Sequence, residues 1–308
     1  MSGLGRFALR RALGLVPTLL VIVVLSFLVI RLAPGSPFST ERKVPPEVLN
    51  DLRAHYGFDK PMTVQLMSYV GKLLHGDLGL STKYPQRTVN EIIADGFPAT
   101  LTLGGAALLW ALILGIGAGI VGAIRQNTRW DHGMMGLAMV GISLPTFVLG
   151  PLLVLVLALR FYVLPPSGWG SAAHVVLPAL TLGTAYAAYI ARLTRGGLLE
   201  VIRSDFVRTA HAKGLPERLV VARHMLKGGL LPVVTFLGPA TANILVGSVV
   251  VEKIFATPGI GPYFVDAAFN RDYFLVMGIV VLYSVFLLVM NLLVDIAYGF
   301  MDPRVRYE

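Results

Sequence analysis

Residues 208–232 read RTAHAKGLPERLVVARHMLKGGLLP and carry five lysine or arginine residues between two strongly apolar stretches. A lysine or arginine at the centre of a membrane helix costs roughly 2.5–3.5 kcal/mol on the scale from insertion experiments. Five of them would cost on the order of 15 kcal/mol, more than the few leucines and valines of this stretch recover. The stretch is therefore predicted to stay outside the hydrocarbon and to connect two membrane spans.

The rest of the 308-residue chain has the composition of an integral membrane protein. Hydrophobic residues make up 55% and charged residues only 14%, against about 25% charged residues in soluble domains. A helix needs about 20 apolar residues to cross the hydrocarbon, and six stretches meet this requirement, although the fourth is short. They are approximately Ala12–Ile30, Leu101–Ile124, Met134–Leu159, Val175–Ala191, Leu230–Val251 and Phe274–Val294. The predicted fold class is an all-α integral membrane protein with six transmembrane helices.

The arginines before the first apolar stretch and the prolines within later ones both bear on the prediction of six spans. Arginines precede the first one, as in a secretory signal, but its nineteen residues are not followed by a small-residue cleavage site, so we expect it to be retained. Prolines occur within later stretches, where neighbouring helices can satisfy the carbonyls that a proline frees. These prolines are Pro145, Pro151, Pro232 and Pro239.

The distribution of basic residues predicts the orientation of the chain in the membrane. Short loops on the cytoplasmic side carry an excess of lysine and arginine. Fifteen such residues fall on one face: three in the N-terminal arm, Arg125 and Arg129 after the second span, eight between spans four and five, and Arg304 and Arg306 in the tail. The short loops opposite hold Arg160, Lys253 and Arg271. Both termini are therefore predicted to be cytoplasmic.

This orientation divides the chain into four parts. Residues 1–33 form the N-terminus and first span, residues 34–97 an extracytoplasmic segment, and residues 98–298 a core of five spans with a cytoplasmic loop over 195–229. Residues 299–308 form a cytoplasmic tail. The outer segment contains helix-like patterns after Pro45-Pro46-Glu47 and from Met62 to Leu74. It is interpreted as a cap on the bundle or as a docking surface for an external partner.

The basic loop itself has a helical pattern on both sides of Gly214. Ile202, Phe206 and Ala210 step by four residues, and Gly214 offers a left-handed stop at the end of a helix. Pro216 suits the first turn of a second helix, whose apolar residues would be Leu215, Leu219, Ala222 and Leu226 until Gly228-Gly229 ends it. Taken by itself, this helix–glycine–helix element could anchor the chain on anionic lipid, connect two spans as a solvated loop, or bind a cytoplasmic protein.

Several function classes are disfavoured by the sequence. The chain has no cysteine, so thiolate chemistry is excluded. Its net charge of +9 comes without a run of five like charges, which argues against nucleic acid. The six histidines form no metal-binding spacing, and no phosphate-binding loop with GK[ST] occurs. We therefore predict no catalytic residue, no metal and no cofactor in this chain.

The second predicted span contains a glycine-rich stretch. Residues 117–122, GAGIVG, satisfy a dinucleotide-binding pattern, but they lie inside a membrane span without a preceding strand. Gly115 and Gly119 are better explained as positions that allow close helix packing.

The loop resembles the cytoplasmic loop of bacterial ABC-importer permeases, in which Glu-Ala-Ala is followed after three residues by Gly and later by Leu-Pro. Ala210, Gly214 and Leu231-Pro232 match, whereas Arg208 and Thr209 depart from Glu-Ala. DFVRTAHAKGL resembles the form found in the dipeptide, oligopeptide and nickel subfamily. Further stretches resemble its first, B-type permease subunit. They are HGDLGLS (75–81), FPATLTLG (97–104), LPPSGWG (164–170), ATPGIGPYFVDAAFNRDYFLVMG (256–278) and DPRVRY (302–307).

The resemblance implies a type I ABC-importer permease in a bacterial cell membrane. The chain would pair with a homologous second permease, two cytoplasmic ABC ATPases would bind ATP and Mg, and an extracytoplasmic binding protein would deliver small peptides. The implied coupling element includes Leu215 and Leu219 as apolar contacts and Arg208, Lys213 and Arg218 as a polar rim. Thr209, Ala210, Gly214 and Glu217 belong to the same element.

Polar residues within the spans are candidates for lining the substrate pathway, with interhelical hydrogen bonding as the alternative. They are Thr181, Thr184, Tyr186 and Tyr189 in span four, Thr241 and Asn243 in span five, and Asn291 in span six. Six spans and interrupted helices also fit a stand-alone, ion-coupled secondary transporter, although no internal repeat is visible. The same type of importer could instead carry nickel or another small solute.

Overall fold

The computed structural model describes residues 3–33, 35, 37–38, 46–84 and 86–301 of the chain. Within these residues the regular structure is helical, apart from an isolated antiparallel bridge between Leu80 and Thr88. The predicted all-α fold class is confirmed. The predicted tail motif over 302–307, with Arg304 and Arg306, lies outside the described residues.

Among the described residues, five helices are long and apolar enough to cross a membrane by themselves. A sixth span exists if the bent pair α5 and α6 counts as one. The five continuous helices are α1 (Gly3–Leu32), α4 (Val89–Ile124), α7 (Ala172–Val201), α11 (Leu231–Phe255) and α13 (Tyr273–Met301). All six predicted spans therefore correspond to helical segments, and the fourth, which looked short in the sequence, is a helix of 30 residues.

The third span is not the single helix that the sequence predicted. α5 (Arg129–Ser143) and α6 (Thr146–Leu153) meet at an angle of 109° around Leu144-Pro145. Proline lacks an N–H and disfavours helical geometry in the residue before it, and Leu144 is accordingly extended, with φ −86° and ψ 117°. Beyond α6 the chain continues as a π-helical segment over Val154–Arg160.

The helices form two compact units. The first contains Met1–Ala12, Leu101–Thr257 and Leu287–Glu308, and the second contains Leu13–Thr100 and Pro258–Phe286. The largest core cluster of the first unit includes Leu103, Leu177, Leu182, Ile244 and Phe255, contributed by α4, α7 and α11. The core of the second unit includes Ile92, Ile260, Leu275 and Ile279, and it uses α12 (Ile260–Asn270) and the start of α13.

The second unit contains both helices predicted for the outer segment. They are α2 (Pro46–His55) and α3 (Met62–Leu74). Tyr69 of α3 is 2% exposed and packs with Phe27 of α1 and with Met277 and Val281 of α13. This face of α3 is therefore packed as the cap interpretation requires, while Met62 and Leu74 at its ends remain exposed.

A buried carboxylate ties the turn over 81–84 to the start of α13. Asp272 is fully buried and accepts hydrogen bonds from the hydroxyl of Ser81 and from the backbone N–H groups of Lys83 and Leu275, the last two at 3.3 and 3.2 Å. A carboxylate just before the first residue of a helix also interacts favourably with the helix dipole. The hydrogen bond between Ser81 and Asp272 thus joins the HGDLGLS stretch to the RDYF sequence at the start of α13.

Glycines permit the close contact between α4 and α7 in the first unit. A Cβ atom on Gly119 would lie 2.5 Å from Cβ of Thr194, and one on Gly115 would lie 2.7 Å from the carbonyl oxygen of Ala187. Gly117 faces open space. The packing interpretation of Gly115 and Gly119 is confirmed, and residues 117–122 lie inside a continuous helix rather than in a loop after a strand.

This geometry predicts different effects of the same substitution at neighbouring glycines. Gly119→Ala should force α4 away from α7 and destabilise the protein by about 1–3 kcal/mol, the usual cost of overpacking. Gly117→Ala should leave stability unchanged or slightly raised, because alanine favours a helix over glycine by roughly 1 kcal/mol. Thermal unfolding of both variants in detergent tests this. Equal melting temperatures for the two variants would contradict the packing assignment.

Candidate coupling interface

The loop between α7 and α11 forms a bent hairpin, which we call the basic hairpin and define as residues 205–229. Its first limb is α8 (Asp205–Ala212), and Gly214 follows with a φ of +73°. Its second limb begins after Pro216 and consists of α9 (Glu217–Leu219), a π-helical segment (Val220–Met225) and α10 (Leu226–Gly229). The predicted left-handed stop at Gly214 and the second helix after Pro216 are confirmed.

The buried residues of the hairpin are not those of the apolar stripe that the sequence pattern indicated. Val207 and Ala210 of the first limb and Val220 and Met225 of the second are buried, and they pack with Leu198 at the end of α7. The sequence pattern indicated an apolar stripe of Leu215, Leu219, Ala222 and Leu226, but Ala222 is exposed and the other three are only half-buried. A π-helical segment places residues five apart over one another, so Val220 and Met225 replace the stripe expected for an α-helix.

The first limb is likewise rotated from its predicted orientation. α7 ends at Val201 and α8 begins at Asp205, so the step of four from Ile202 to Phe206 does not continue along one helix. As a result Phe206 faces outward and is 53% exposed, while Val207 takes the inward position. Phe206 is thus a large apolar side chain that this limb presents outward, away from the buried Ala210 with which the step of four had grouped it.

The outward face of the hairpin is polar and largely basic. Arg208, Thr209, Lys213, Glu217 and Arg218 are all exposed. A contact between Nε2 of His211 and a carboxylate oxygen of Glu217, at 2.9 Å, joins the two limbs across Gly214. This link was not predicted, because its geometry depends on the left-handed turn between the two residues.

The base of the hairpin is in close contact with α7. Gly197 and Gly229 approach so closely that a Cβ atom on Gly197 would overlap the carbonyl oxygen of Gly229. A Cβ atom on Gly229 would lie 2.5 Å from Cδ2 of Leu198. Because neither position has space for a side chain, the hairpin and the last turns of α7 are held at a fixed distance.

An ion pair with a buried carboxylate joins the same end of α7 to the first turn of α5. Arg195 donates from Nε to Oδ1 of Asp131 at 2.7 Å and from Nη2 to Oδ2 at 2.8 Å. Asp131 is 3% exposed and also accepts the backbone N–H of Asn127 at 3.0 Å. Two parallel hydrogen bonds to a carboxylate are the strong, directional arrangement that arginine provides. Arg195 was expected in the cytoplasmic loop, and no role was predicted for Asp131.

The candidate pathway residues have different environments in the first unit. Thr181 is fully buried and its hydroxyl donates to the carbonyl of Leu177, so it has no surface to offer to a passage in this structure. The hydroxyls of Thr184 and Thr241 also donate to carbonyls four residues earlier in their own helices. These bonds satisfy the hydroxyls within their own helices, so they are not the interhelical hydrogen bonds of the alternative interpretation.

Two of the candidates are exposed on their helices. Tyr189 is 44% exposed, and its ring centroid lies 5.9 Å from that of Phe236. Asn243 is exposed on α11. Tyr186 is half-buried, and Asn291 lies against Gly238, where a Cβ atom would come 2.5 Å from its side-chain oxygen.

A buried acid was not identified in the sequence. Glu252 lies near the end of α11, is fully buried and accepts a hydrogen bond from the hydroxyl of Ser248 at 2.7 Å. The signal was present as a single acid in the run VVVEKIF. No group of three His, Asp or Glu side chains suited to a metal ion occurs within the part of the chain that the structure describes.

The ion pair leads to a stability prediction. Asp131→Asn keeps the shape of the side chain but leaves the Arg195 guanidinium without its counter-charge. Breaking a buried pair costs about 3–5 kcal/mol, and because Arg195 is 26% exposed we expect roughly half of that. Asp205→Asn is the matched control, since the Asp205–Arg208 pair is 3.8 Å long and exposed and should contribute less than about 1 kcal/mol.

Thermal unfolding of the detergent-purified chain measures both effects. A clear drop in the melting temperature for Asp131→Asn, with little change for Asp205→Asn, is the expected result. A melting temperature for Asp131→Asn that equals the wild-type value would show that the pair does not brace α7.

Comparison with known proteins places the chain in a family. Residues 111–307 match the family model described as a binding-protein-dependent transport system inner membrane component, and residues 4–104 match the model of its N-terminal part. The chain is 48% identical to the oligopeptide transport system permease protein OppB of Salmonella typhimurium over 98% of this chain and 99% of that protein. It is 42% identical to the dipeptide transport system permease protein DppB of Bacillus subtilis, with 98% of each chain covered.

A solved structure supports the fold independently of close sequence similarity. A chain of the MetNI methionine ABC transporter in an inward-facing conformation superimposes with a TM-score of 0.56 at 16% identity. The match covers 68% of this chain and 96% of that chain. The family models, the full-length relatives and the permease fold agree: the chain belongs to the inner-membrane permease components of binding-protein-dependent transport systems.

Proposed function

We propose that this chain is one of two related permease subunits that form the pathway of an ATP-driven importer for short peptides. The observation that carries the proposal is the full-length similarity to permeases described as oligopeptide and dipeptide transport proteins. In this proposal the chain catalyses no reaction. ATP and Mg are bound by two cytoplasmic ATPase subunits, and an extracytoplasmic binding protein supplies the peptide.

The proposed orientation puts both termini and the basic hairpin in the cytoplasm. Its support is the excess of lysine and arginine on this face, because short cytoplasmic loops are enriched in these residues. The outer segment with α2 and α3 then lies on the opposite side, where the binding protein would dock. An anionic cytoplasmic leaflet would further favour this arrangement.

The basic hairpin is the proposed contact for an ATPase subunit. Phe206 would enter an apolar cleft, since an exposed aromatic surrounded by polar side chains is a typical anchor of a protein interface. Leu215 and Leu219 are half-buried and would complete the apolar centre, with Arg208, Lys213 and Arg218 as the basic rim. Thr209, Ala210, Gly214 and Glu217 would support this surface by shaping the two limbs.

The same contacts suggest how a movement of the ATPase would reach the membrane. The His211–Glu217 contact joins the two limbs, and the Gly197–Gly229 approach seats the hairpin on α7. The Asp131–Arg195 pair joins α7 to the first turn of α5. A displacement of the hairpin would therefore carry the end of α7 and this turn with it, because packed contacts of this kind resist deformation.

The peptide pathway is proposed to run along the face shared with the second permease. Tyr189 and Asn243 support this because they are polar side chains exposed on membrane helices, and such groups face a partner or water rather than lipid. Tyr186, Thr184, Thr241 and Asn291 are partly exposed and would contribute to the edge of this face.

Reconstitution of the complete complex in vesicles tests the proposal. Uptake of a labelled tripeptide should require ATP and the binding protein. Phe206→Asp should reduce uptake and copurification of the ATPase by at least about tenfold, since interface anchors commonly contribute 2 kcal/mol or more. Phe269→Asp is the matched control, because Phe269 is 80% exposed on α12 and lies outside the hairpin, so the ATPase should still copurify.

Two outcomes would contradict this function. Peptide uptake by the chain alone, driven by an ion gradient without ATPase subunits, would instead support the stand-alone secondary transporter. Nickel uptake with no peptide uptake by the complete complex would keep the importer but replace its substrate.

A further inference from the structure

A cavity of about 70 Å³ lies in the second unit, beside the end of α1. Roughly 10–15 Å³ is enough for one water molecule, so the cavity has room for a larger group. Three cations line it, namely Arg31, Lys60 and Lys72, and none of the described lining residues is acidic. The charge of the cavity wall therefore favours an anion.

The Arg31 guanidinium is held in place by its neighbours. It lies over the ring of Phe58, with Cζ 4.2 Å from the ring centroid, and Cζ is 5.1 Å from the centroid of Tyr273. It also donates a hydrogen bond to Oε1 of Gln65, whose amide donates to the carbonyl of Lys60 at 2.7 Å. A guanidinium stacked on a ring keeps N–H groups at its edge for an oxyanion, and its planar fork matches phosphate.

A buried hydroxyl in the same cavity provides an independent indication of a ligand. Tyr69 is 2% exposed and lines the cavity. Its hydroxyl is buried and has no hydrogen-bond partner among the described residues. Burial, with a smaller effect of Asp77, raises the pKa of Tyr69, so the hydroxyl keeps its proton and can donate it in a hydrogen bond. A buried hydroxyl without a partner is costly, and an oxyanion in the cavity would satisfy it.

The position of the cavity in the membrane indicates which oxyanion is available. Arg31 is in the last turn of α1, whose candidate span is Arg10–Leu32, and Tyr273 begins the span of α13. Arginine and tyrosine at the ends of spans lie at the level of lipid headgroups. Val29 and Leu32, on either side of Arg31, are 69% and 74% exposed, so lipid can reach this end of the helix.

We propose that this cavity binds the phosphodiester of a phospholipid headgroup through Arg31, Lys72 and the hydroxyl of Tyr69. Lys60 adds positive charge at the entrance, and the aromatic rings contact the glycerol carbons. The bound lipid stabilises the contact of α1 with α3 and α13. The inference concerns lipid binding alone and does not depend on the proposed peptide substrate or on the orientation of the chain.

Lipid binding to the purified complex tests the proposal. Native mass spectrometry with dioctanoyl phosphatidylglycerol should detect one lipid that binds with higher affinity than the rest. Arg31→Gln and Tyr69→Phe should each weaken this site at least about tenfold, because each removes a hydrogen bond to a charged group. The controls are Arg53→Gln and Tyr162→Phe, since both side chains are exposed and lie outside the cavity, and they should leave the affinity unchanged.

Two results would overturn the inference. Wild-type affinity for phosphatidylglycerol in a folded Tyr69→Phe variant would show that the cavity does not bind the headgroup, even if Arg31→Gln fails to fold. Equally tight binding of free glycerol phosphate, with the same dependence on Arg31 and Tyr69, would assign the site to a soluble phosphate compound instead of a lipid.

Discussion

Hydrocarbon does not solvate charge, and this constraint decides where the charged residues of the chain can lie. A charged group in the membrane must be paired, lie at the end of a span or stay outside. The Asp131–Arg195 pair meets the constraint by two parallel hydrogen bonds. Arg31 meets it at the end of α1, and the basic hairpin is not part of any candidate span found among the described residues. The permease fold combines apolar spans with charged residues that are placed in these three ways.

Several of these contacts involve the end of α7. Within seven residues it provides Arg195 for the ion pair, Gly197 for the contact with Gly229, Leu198 for the core beneath the hairpin, and the last turn before α8. Its earlier turns pack against the glycines of α4. The second half of α7 is thus held by contacts without free space, and packed contacts of this kind resist deformation. The physical link between the hairpin and the spans is thus a single rigid helix.

Properties that depend on local sequence could be predicted, and those that depend on distant contacts could not. The six apolar segments, the helices at Pro46 and Met62, and the left-handed Gly214 follow from composition and spacing along the chain. The bend at Pro145 was missed because proline was expected to be repaired by neighbouring helices. The π-helical segment over 220–225 changed which residues of the hairpin face inward, and no simple sequence pattern announces it.

The remaining contacts join residues far apart in sequence. Asp131 and Arg195 are separated by 64 positions, and Asp272 meets Ser81 across 191. Each residue by itself has an ordinary sequence context, so a single sequence does not identify the pair. The cavity at Arg31 is similar, because its wall combines α1, α3 and the start of α13.

We propose that the basic hairpin lies in the cytoplasm and that the outer segment lies on the opposite side of the membrane. Because the chain has no cysteine, single cysteines can be introduced at the exposed positions Thr209 and Thr63 and labelled in intact cells with a membrane-impermeant thiol reagent. The account predicts that Thr63→Cys reacts at once and that Thr209→Cys reacts only after the membrane is permeabilised. Labelling of Thr209→Cys in intact cells would contradict it.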